Sequence, residues 1–180
     1  MPATITEFDL EIVASTKVGA LLDRYPDLED LLISIAPPFK KLRNPLLRRS
    51  VAKVASLEQA AVVANIPATD LVNLLRREVG QEPLPRTDAP GRSSYFQSKP
   101  DWFDTTRIAA SIDERDQRDQ VRMPFVNLFE SANRIPRGEI VELITTSLPA
   151  PGIDIMKNRG FRVWSVEEQP DLIRSYFQRK

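Results

Sequence analysis

The hydrophobic pattern of the first eighty residues predicts a short strand followed by several short helices. Acidic and apolar residues alternate over residues 7–13, which is typical of a strand with one buried face. Apolar residues then recur at spacings of three and four between residues 16 and 79, which indicates amphipathic helices. The expected boundaries of these helices are Pro26, the Pro37-Pro38 pair, the capping-box residues Ser56 and Gln59, and Gly80. We therefore predict that residues 1–80 form a helical domain with a leading strand.

The pattern changes twice after residue 80. Between residues 81 and 100 the periodicity disappears and four prolines interrupt a polar stretch, which predicts a Pro-rich linker between two domains. Over residues 101–180, strand-like and helix-like periods follow one another in the order βαβαββ. The predicted fold class is therefore α+β, with a small helical bundle followed by a two-layer sandwich that carries two helices on one face of its sheet.

Aromatic residues cluster at the end of the predicted linker. Tyr95, Phe96, Trp102 and Phe103 lie within nine positions, and we expect them to pack against a neighbouring domain, because large apolar groups are usually buried where a surface is available. An aromatic ligand patch is the alternative. Trp164 lies on a strand that is apolar on both sides, so periodicity leaves open whether it belongs to the core or to an interaction surface.

Composition narrows the range of functions. Of 180 residues, 42% are hydrophobic and 28% are charged, which is typical of globular proteins. The 25 basic and 25 acidic residues cancel, so purely electrostatic binding to nucleic acid is not expected. No apolar run approaches the roughly 20 residues that span a bilayer, and the acidic N-terminus does not fit a signal peptide. We expect a cytoplasmic protein without a membrane segment.

The chain contains no cysteine and no histidine. This removes the commonest thiol nucleophile, the usual proton carrier near neutral pH and the soft metal ligands. The six glycines are scattered singly, so no phosphate-binding glycine loop is present. We find no catalytic constellation in what remains, and we expect neither enzymatic activity nor a bound cofactor or metal.

Pro124, the turn Arg137-Gly138-Glu139 and the order of elements give residues 101–180 a resemblance to the TusA/SirA-like sulfur-carrier domains. In that family a Cys-Pro-x-Pro motif opens the first helix. The resemblance matches this motif to residues 121–124, so that Val121 occupies the position of the cysteine. Persulfide transfer requires a thiolate, and valine has none. The resemblance therefore implies a cysteine-less scaffold that does not carry sulfur.

Residues 18–28 and 56–61 give the N-terminal part a resemblance to a family of small helical domains of unknown function. This family is described as a redox-disulfide domain associated with hybrid-cluster proteins. Many members carry Cys-x-x-Cys after the second helix, where this chain has Pro38 and Lys41 at the corresponding positions. Because dithiol exchange requires two sulfur atoms, the resemblance implies that this activity has been lost.

Two groups of basic residues are candidate ligand sites. Arg118 and Arg122 flank the start of the helix expected at Pro124 and could hold a small anion there, although pairing with Asp116 and Asp119 is the interpretation we favour. A second group could contact an anion, a nucleotide or nucleic acid. A solvated helix face is the favoured interpretation of this group as well. Its members are Lys40, Lys41, Arg43, Arg48, Arg49 and Lys53.

Acidic residues follow the first predicted strand of the second domain. Asp113, Glu114, Asp116 and Asp119 could suggest a site for a hard cation such as Ca²⁺. Loops that bind Ca²⁺ usually contain a glycine at the turn, and none occurs here. We therefore interpret these residues as the acids of a solvated loop.

These observations favour a non-catalytic interaction or regulatory protein. We expect it to bind a protein partner through a groove between its domains or through an apolar face of its sheet. The family resemblances associate that partner with redox or sulfur metabolism. The alternative is a protein that binds a small anion, a nucleotide or nucleic acid through Arg118, Arg122 and the basic segment 40–53.

Overall fold

The computed structural model describes residues 10–85, 91–115 and 125–180, apart from the side chains of Leu46 and Leu47. Its first part, residues 10–85, is called the helical half below. The helices predicted from the apolar spacing are confirmed, and none in the described ranges is both long and apolar enough to cross a bilayer. They are α1 (Val18–Arg24), α2 (Leu28–Ile35), α3 (Pro45–Val54), α4 (Leu57–Ala64) and α5 (Ala68–Glu78), with a 3₁₀ helix (Pro37–Arg43) between α2 and α3.

Local signals in the sequence set the limits of α4. The predicted capping box is present, since Ser56 Oγ accepts a hydrogen bond from the Gln59 N–H at 3.3 Å and the Gln59 side chain accepts one from the Ser56 N–H at 3.0 Å. The helix ends at Ala64 and is capped by Asn65, whose φ of 58° is left-handed. Asparagine adopts this conformation more readily than most residues. Both ends of α4 are therefore encoded locally.

The strand predicted for residues 7–13 is not found in its described part, because residues 10–13 form no strand. Side chains of the helical half satisfy their backbone groups in place of a neighbouring strand. Gln81 accepts a hydrogen bond from the Ile12 N–H and donates one to the Leu10 carbonyl, and Arg76 donates one to the Ile12 carbonyl. In its described part, the alternating pattern of residues 7–13 therefore reflects a segment that buries Ile12 on one side without pairing with a neighbouring strand.

The remaining elements form a four-stranded sheet with two helices, called the sheet half below (residues 91–115 and 125–180). The strands lie in the order β1-β2-β4-β3, with β1 parallel to β2 and the other pairs antiparallel. This confirms the α+β class and the predicted βαβαββ order. The elements are β1 (Ile108–Asp113), α6 (Val126–Arg134), β2 (Ile140–Thr145), α7 (Ala150–Asn158), β3 (Arg162–Gln169) and β4 (Leu172–Gln178).

Both faces of the sheet are covered. Helices α6 and α7 pack on one face, where Leu128, Ile153 and Phe177 belong to one buried cluster. On the other face the chain before β1 crosses the strands and buries Phe103 against Tyr176 and the half-buried Trp164. Trp164 thus belongs to a packed aromatic cluster, which decides a question that periodicity left open.

The helical half packs directly against the sheet half. Val62 of α4 is buried in the cluster formed by α6, α7 and the sheet. Gln59 of α4 donates a hydrogen bond to the Asp154 carboxylate of α7, which also accepts one from the Tyr95 hydroxyl at 2.9 Å. Part of the predicted linker therefore contributes to this contact. The predicted limits at residues 80 and 100 remain predictions.

Candidate functional site

A cavity of about 280 Å³ lies between the helical half and the sheet half. The 3₁₀ helix Pro37–Arg43, α3 and α4 form one wall, and the ends of β1 and β2 with the start of α7 form the other. We call it the interdomain cavity. Apolar side chains dominate the lining, among them Leu32, Phe39, Leu42, Val51, Ala55, Ala60, Val63, Ile112, Phe125 and Leu148.

The position of the interdomain cavity follows from the topology of the sheet. Strands β1 and β2 are parallel and in register at Asp113 and Ile144, so their carboxyl ends lie at the same edge. The residues that leave them, Glu114 after β1 and Thr145 to Pro149 at and after the end of β2, line the cavity. Crevices at the carboxyl ends of parallel strands are common ligand sites.

Glu114 introduces a carboxyl group into this mostly apolar lining. Its backbone N–H donates to the Ile144 carbonyl at 2.9 Å, which continues the pairing of β1 with β2. Burial raises the pKa of the Glu114 carboxyl, while a hydrogen bond from the Phe125 N–H and the charge of Lys41 act in the opposite direction. No cation of the described residues lies within ion-pair distance of it. Its charge is left without a close counterion in this part of the chain.

Phe125, the residue whose N–H hydrogen-bonds to Glu114, has an unusual backbone conformation. Phe125 has a φ of 66°, in the left-handed region that bulky residues rarely adopt. Its ring lies so close to Gly152 of α7 that a Cβ there would be 2.9 Å from the ring atom Cε1. Gly152 thus leaves room for the Phe125 ring. Backbone conformations such as that of Phe125 are found disproportionately at functional sites.

Thr145, also in the lining, carries a buried hydroxyl group. Its side chain is 7% exposed, and Oγ1 has no hydrogen-bond partner in the described ranges. We expect Thr145→Val to stabilise the protein by about 1 kcal/mol, because valine has the same shape and removes an unsatisfied polar atom. Urea denaturation monitored by circular dichroism measures this.

Thr16 is the matched control for that substitution. It is 8% exposed, but its hydroxyl accepts a hydrogen bond from the Val13 N–H at 2.9 Å and donates one to the Glu11 carbonyl at 3.1 Å. Thr16→Val should therefore destabilise the protein by about 1–2 kcal/mol. Equal effects of the two substitutions would contradict the assignment of an unsatisfied Thr145 hydroxyl.

The raised pKa of Glu114 predicts a pH dependence of stability. When the folded-state pKa of a carboxyl group lies above its ordinary value of 4.5, ionisation costs folding free energy, so stability is lost as the pH rises through the folded-state pKa. Glu114→Gln removes this cost. Its melting temperature relative to the wild type should therefore be higher at pH 7 than at pH 4. Glu78→Gln, at an exposed position, is the control for the general effect of removing one carboxyl group. If the melting temperature of Glu114→Gln differs from that of the wild type by the same amount at pH 4 and pH 7, the prediction is refuted.

The basic segment does not form one continuous site. Lys41 lines the interdomain cavity and Lys40 is exposed. Arg48 ties three helices together, since it pairs with Glu29 at 2.6 Å and donates to the Leu22 carbonyl at 3.2 Å. Four of the six predicted residues border a second hollow of about 300 Å³, which we call the basic hollow: Arg43, Arg48, Arg49 and Lys53.

The other residues that the sequence analysis singled out fall into two groups: some lie outside the described residues, and some line the interdomain cavity. Arg118 and Arg122, the Val121 position of the degenerate motif, and the acids Asp116 and Asp119 lie outside the described residues. Pro38 and Lys41, which correspond to the cysteine positions in the resembled redox family, both line the interdomain cavity.

Sequence reasoning missed Glu114, Phe125 and Thr145 as parts of a cavity lining. The sequence pattern predicts a solvated acidic loop at Glu114. A signal for two of them was present, because Glu114 and Thr145 are polar residues at or just after the ends of predicted strands. That signal indicates a common site only once β1 and β2 are known to be parallel, because their carboxyl ends then lie at the same edge of the sheet.

Comparison with known families gives a result for the helical half. A family model described as a domain of unknown function (DUF1858) matches residues 12–72, which reach from before α1 into α5. This supports an N-terminal domain of unknown function, as the resemblance of residues 18–28 and 56–61 predicted. Neither the curated proteins nor the solved structures gave a match.

Proposed function

We propose that the protein is a non-catalytic interaction or regulatory module that binds a ligand in the interdomain cavity. The observation that supports this is a largely apolar cavity at the carboxyl ends of two parallel strands, with a carboxyl group that lacks a close counterion among the described residues. Pockets for small molecules combine apolar walls with a few polar groups in this way.

The regulatory part of the proposal follows from the two walls of the cavity. One wall belongs to the helical half and the other to the sheet half. A ligand that contacts both walls stabilises the packed arrangement of the two halves, and it shifts any equilibrium in which they move apart. A partner that distinguishes those arrangements would then respond to the ligand.

Family resemblance suggests the cellular context of this module. The positions of the lost dithiol, Pro38 and Lys41, contribute to the cavity lining, and the sheet half resembles the TusA/SirA-like domains in the order of its elements. We infer a cytoplasmic protein partner in redox or sulfur metabolism. Affinity purification from native lysate should recover a reproducible stoichiometric partner, and repeated failure to recover one would count against this part of the proposal.

Ligand-observed NMR with a library of small aromatic and aliphatic fragments tests the cavity. We expect fragments to bind the wild type and to lose binding in Val51→Phe, which places a ring in the cavity from α3. Val54→Phe is the matched control, since Val54 lies on the same helix, is 44% exposed and does not line the cavity. Fragments that bind Val51→Phe and the wild type equally well would refute the cavity as the site.

The basic hollow supports a second candidate function, the binding of a small anion. Four cationic side chains and two acidic ones, Asp23 and Glu29, border it. Pyrophosphate should raise the melting temperature of the wild type but not of the double variant Arg49→Glu, Lys53→Glu. Arg77→Glu, from the exposed face of α5, is the control. An absence of stabilisation of the wild type would exclude this function.

A further inference from the structure

The charges along the interdomain cavity indicate which ligands it accepts. Among the described residues, the charged side chains in its lining are Lys41, Asp113 and Glu114. Asp113 is already occupied, because the Arg115 guanidinium donates to both of its carboxylate oxygens at 2.6–3.2 Å. Glu114 has no such partner in the described ranges. Among the described residues, its carboxylate is therefore the negative charge in the lining that is left to pair with a ligand.

A cationic group is the ligand feature that this carboxylate favours. A carboxylate that loses hydration beside apolar walls is destabilised, and a cation that pairs with it offsets this loss. The attraction is stronger than in bulk water, because the effective dielectric constant is lower. The hydrogen bond from the Phe125 N–H favours the charged form of this carboxyl group. An anionic ligand would be repelled by the same group.

We propose that the interdomain cavity binds a small amine whose apolar body packs against the walls and whose ammonium group pairs with Glu114. This rests on the proposed function and specifies its ligand class. The volume of about 280 Å³ lies just below the range of roughly 300–1,000 Å³ for small-molecule pockets. It therefore suits a ligand of the size of an arylalkylamine or an amino acid and is small for a nucleotide.

Two kinds of molecule supply this chemistry. A simple amine presents the ammonium group alone, whereas an amino acid also presents a carboxylate. Lys41, on the wall formed by the 3₁₀ helix, is charged and close enough to lower the pKa of Glu114, yet it forms no ion pair with it. It is the candidate partner for the carboxylate of an amino acid.

Isothermal titration calorimetry of the full chain with four matched compounds tests the proposal. The compounds are phenethylamine, 2-phenylethanol, 3-phenylpropionate and L-phenylalanine, which share an aromatic body and differ in the polar end. We expect phenethylamine to bind the wild type at least about tenfold more tightly than the alcohol or the propionate, because of these three only the amine brings a positive charge to the Glu114 carboxylate. Glu114→Gln should remove this preference and leave the alcohol unaffected.

The outcomes separate this proposal from the proposed function. If the alcohol or the propionate binds as tightly as the amine, or if Glu114→Gln keeps the preference for the amine, the ammonium assignment is wrong. In that case the interdomain cavity is still supported as the binding site if the compounds bind Val54→Phe but not Val51→Phe. Ala60→Leu blocks the cavity from α4 and replaces Val51→Phe if that variant does not fold. Failure of all four compounds to bind overturns the amine proposal.

The last comparison identifies the kind of amine. Tighter binding of L-phenylalanine than of phenethylamine, with the gain lost in Lys41→Gln, indicates an amino acid as the ligand. Equal or weaker binding of L-phenylalanine indicates a simple amine. Both results retain the ammonium group at Glu114.

Discussion

Phe103→Ala is expected to destabilise the protein by about 3–5 kcal/mol, the usual cost of removing a buried phenylalanine ring. The Phe103 ring lies 4.5 Å from the ring of Tyr176 and 4.6 Å from that of Trp164, measured between centroids. It holds the chain before β1 across the sheet, where the Trp164 indole N–H donates to the Gln97 carbonyl at 2.9 Å. Without the ring, the outer face of the sheet becomes accessible to water.

Tryptophan fluorescence monitors this substitution locally. The two tryptophans of the chain, Trp102 and Trp164, both pack against the cluster that contains Phe103. Phe103→Ala should shift their emission to longer wavelength and lower the denaturation midpoint. Phe103→Leu should give an emission wavelength and a midpoint between those of Phe103→Ala and the wild type. Val54→Ala, at an exposed position, should change stability by less than about 0.5 kcal/mol. A loss below about 1 kcal/mol for Phe103→Ala, with unchanged emission, would contradict this role.

Arg76→Met is expected to destabilise the protein by about 3 kcal/mol. Arg76 of α5 is 7% exposed, and its guanidinium donates to the Ile12 carbonyl at 2.7 Å and to the Glu82 carbonyl. These bonds hold the segment before α1 and the segment after α5 against the helical half. Methionine fills similar space but leaves both carbonyl groups without this donor, and the cost is greatest, about 1–3 kcal/mol, for the carbonyl group of the buried Ile12. The nearby carboxylate of Glu11 is largely exposed and adds little.

Arg77 is the matched control for Arg76. It is the next residue on α5 and is exposed, so Arg77→Met should change stability by less than about 0.5 kcal/mol. Urea denaturation followed by far-ultraviolet circular dichroism compares the two variants. Similar losses of stability would mean that the buried guanidinium does not hold the two segments.

Helices and strands with local signals could be predicted from the sequence. The capping box at Ser56 and Gln59 gave the start of α4, and the changes of period after residue 100 gave the βαβαββ order. Both depend on residues a few positions apart, which a single sequence displays directly. The predicted strand at residues 7–13 failed in its described part because a two-residue alternation reports one-sided burial, which an unpaired segment can also have.

The candidate site was largely invisible in the sequence. Glu114 and Lys41 are 73 positions apart, and nothing local indicates that both line one cavity. Their proximity depends on how α3, α4 and the 3₁₀ helix pack against the ends of β1 and β2. The basic segment displayed the opposite problem, because its continuity along the chain suggested one site, whereas the fold distributes Lys41 and Arg48 to different surroundings.

The most direct test of the cavity as the binding site is a ¹H–¹⁵N correlation NMR titration with the tightest-binding compound of the aromatic series. The Phe125 amide should shift strongly on addition of that compound, since its N–H donates to Glu114 and its side chain lines the cavity. The Gly80 amide, at the end of α5 and away from the cavity lining, should remain unchanged. Shifts at Phe125 that disappear in Val51→Phe are the predicted result. Shifts confined to residues outside the cavity, or no binding by any compound, would contradict it.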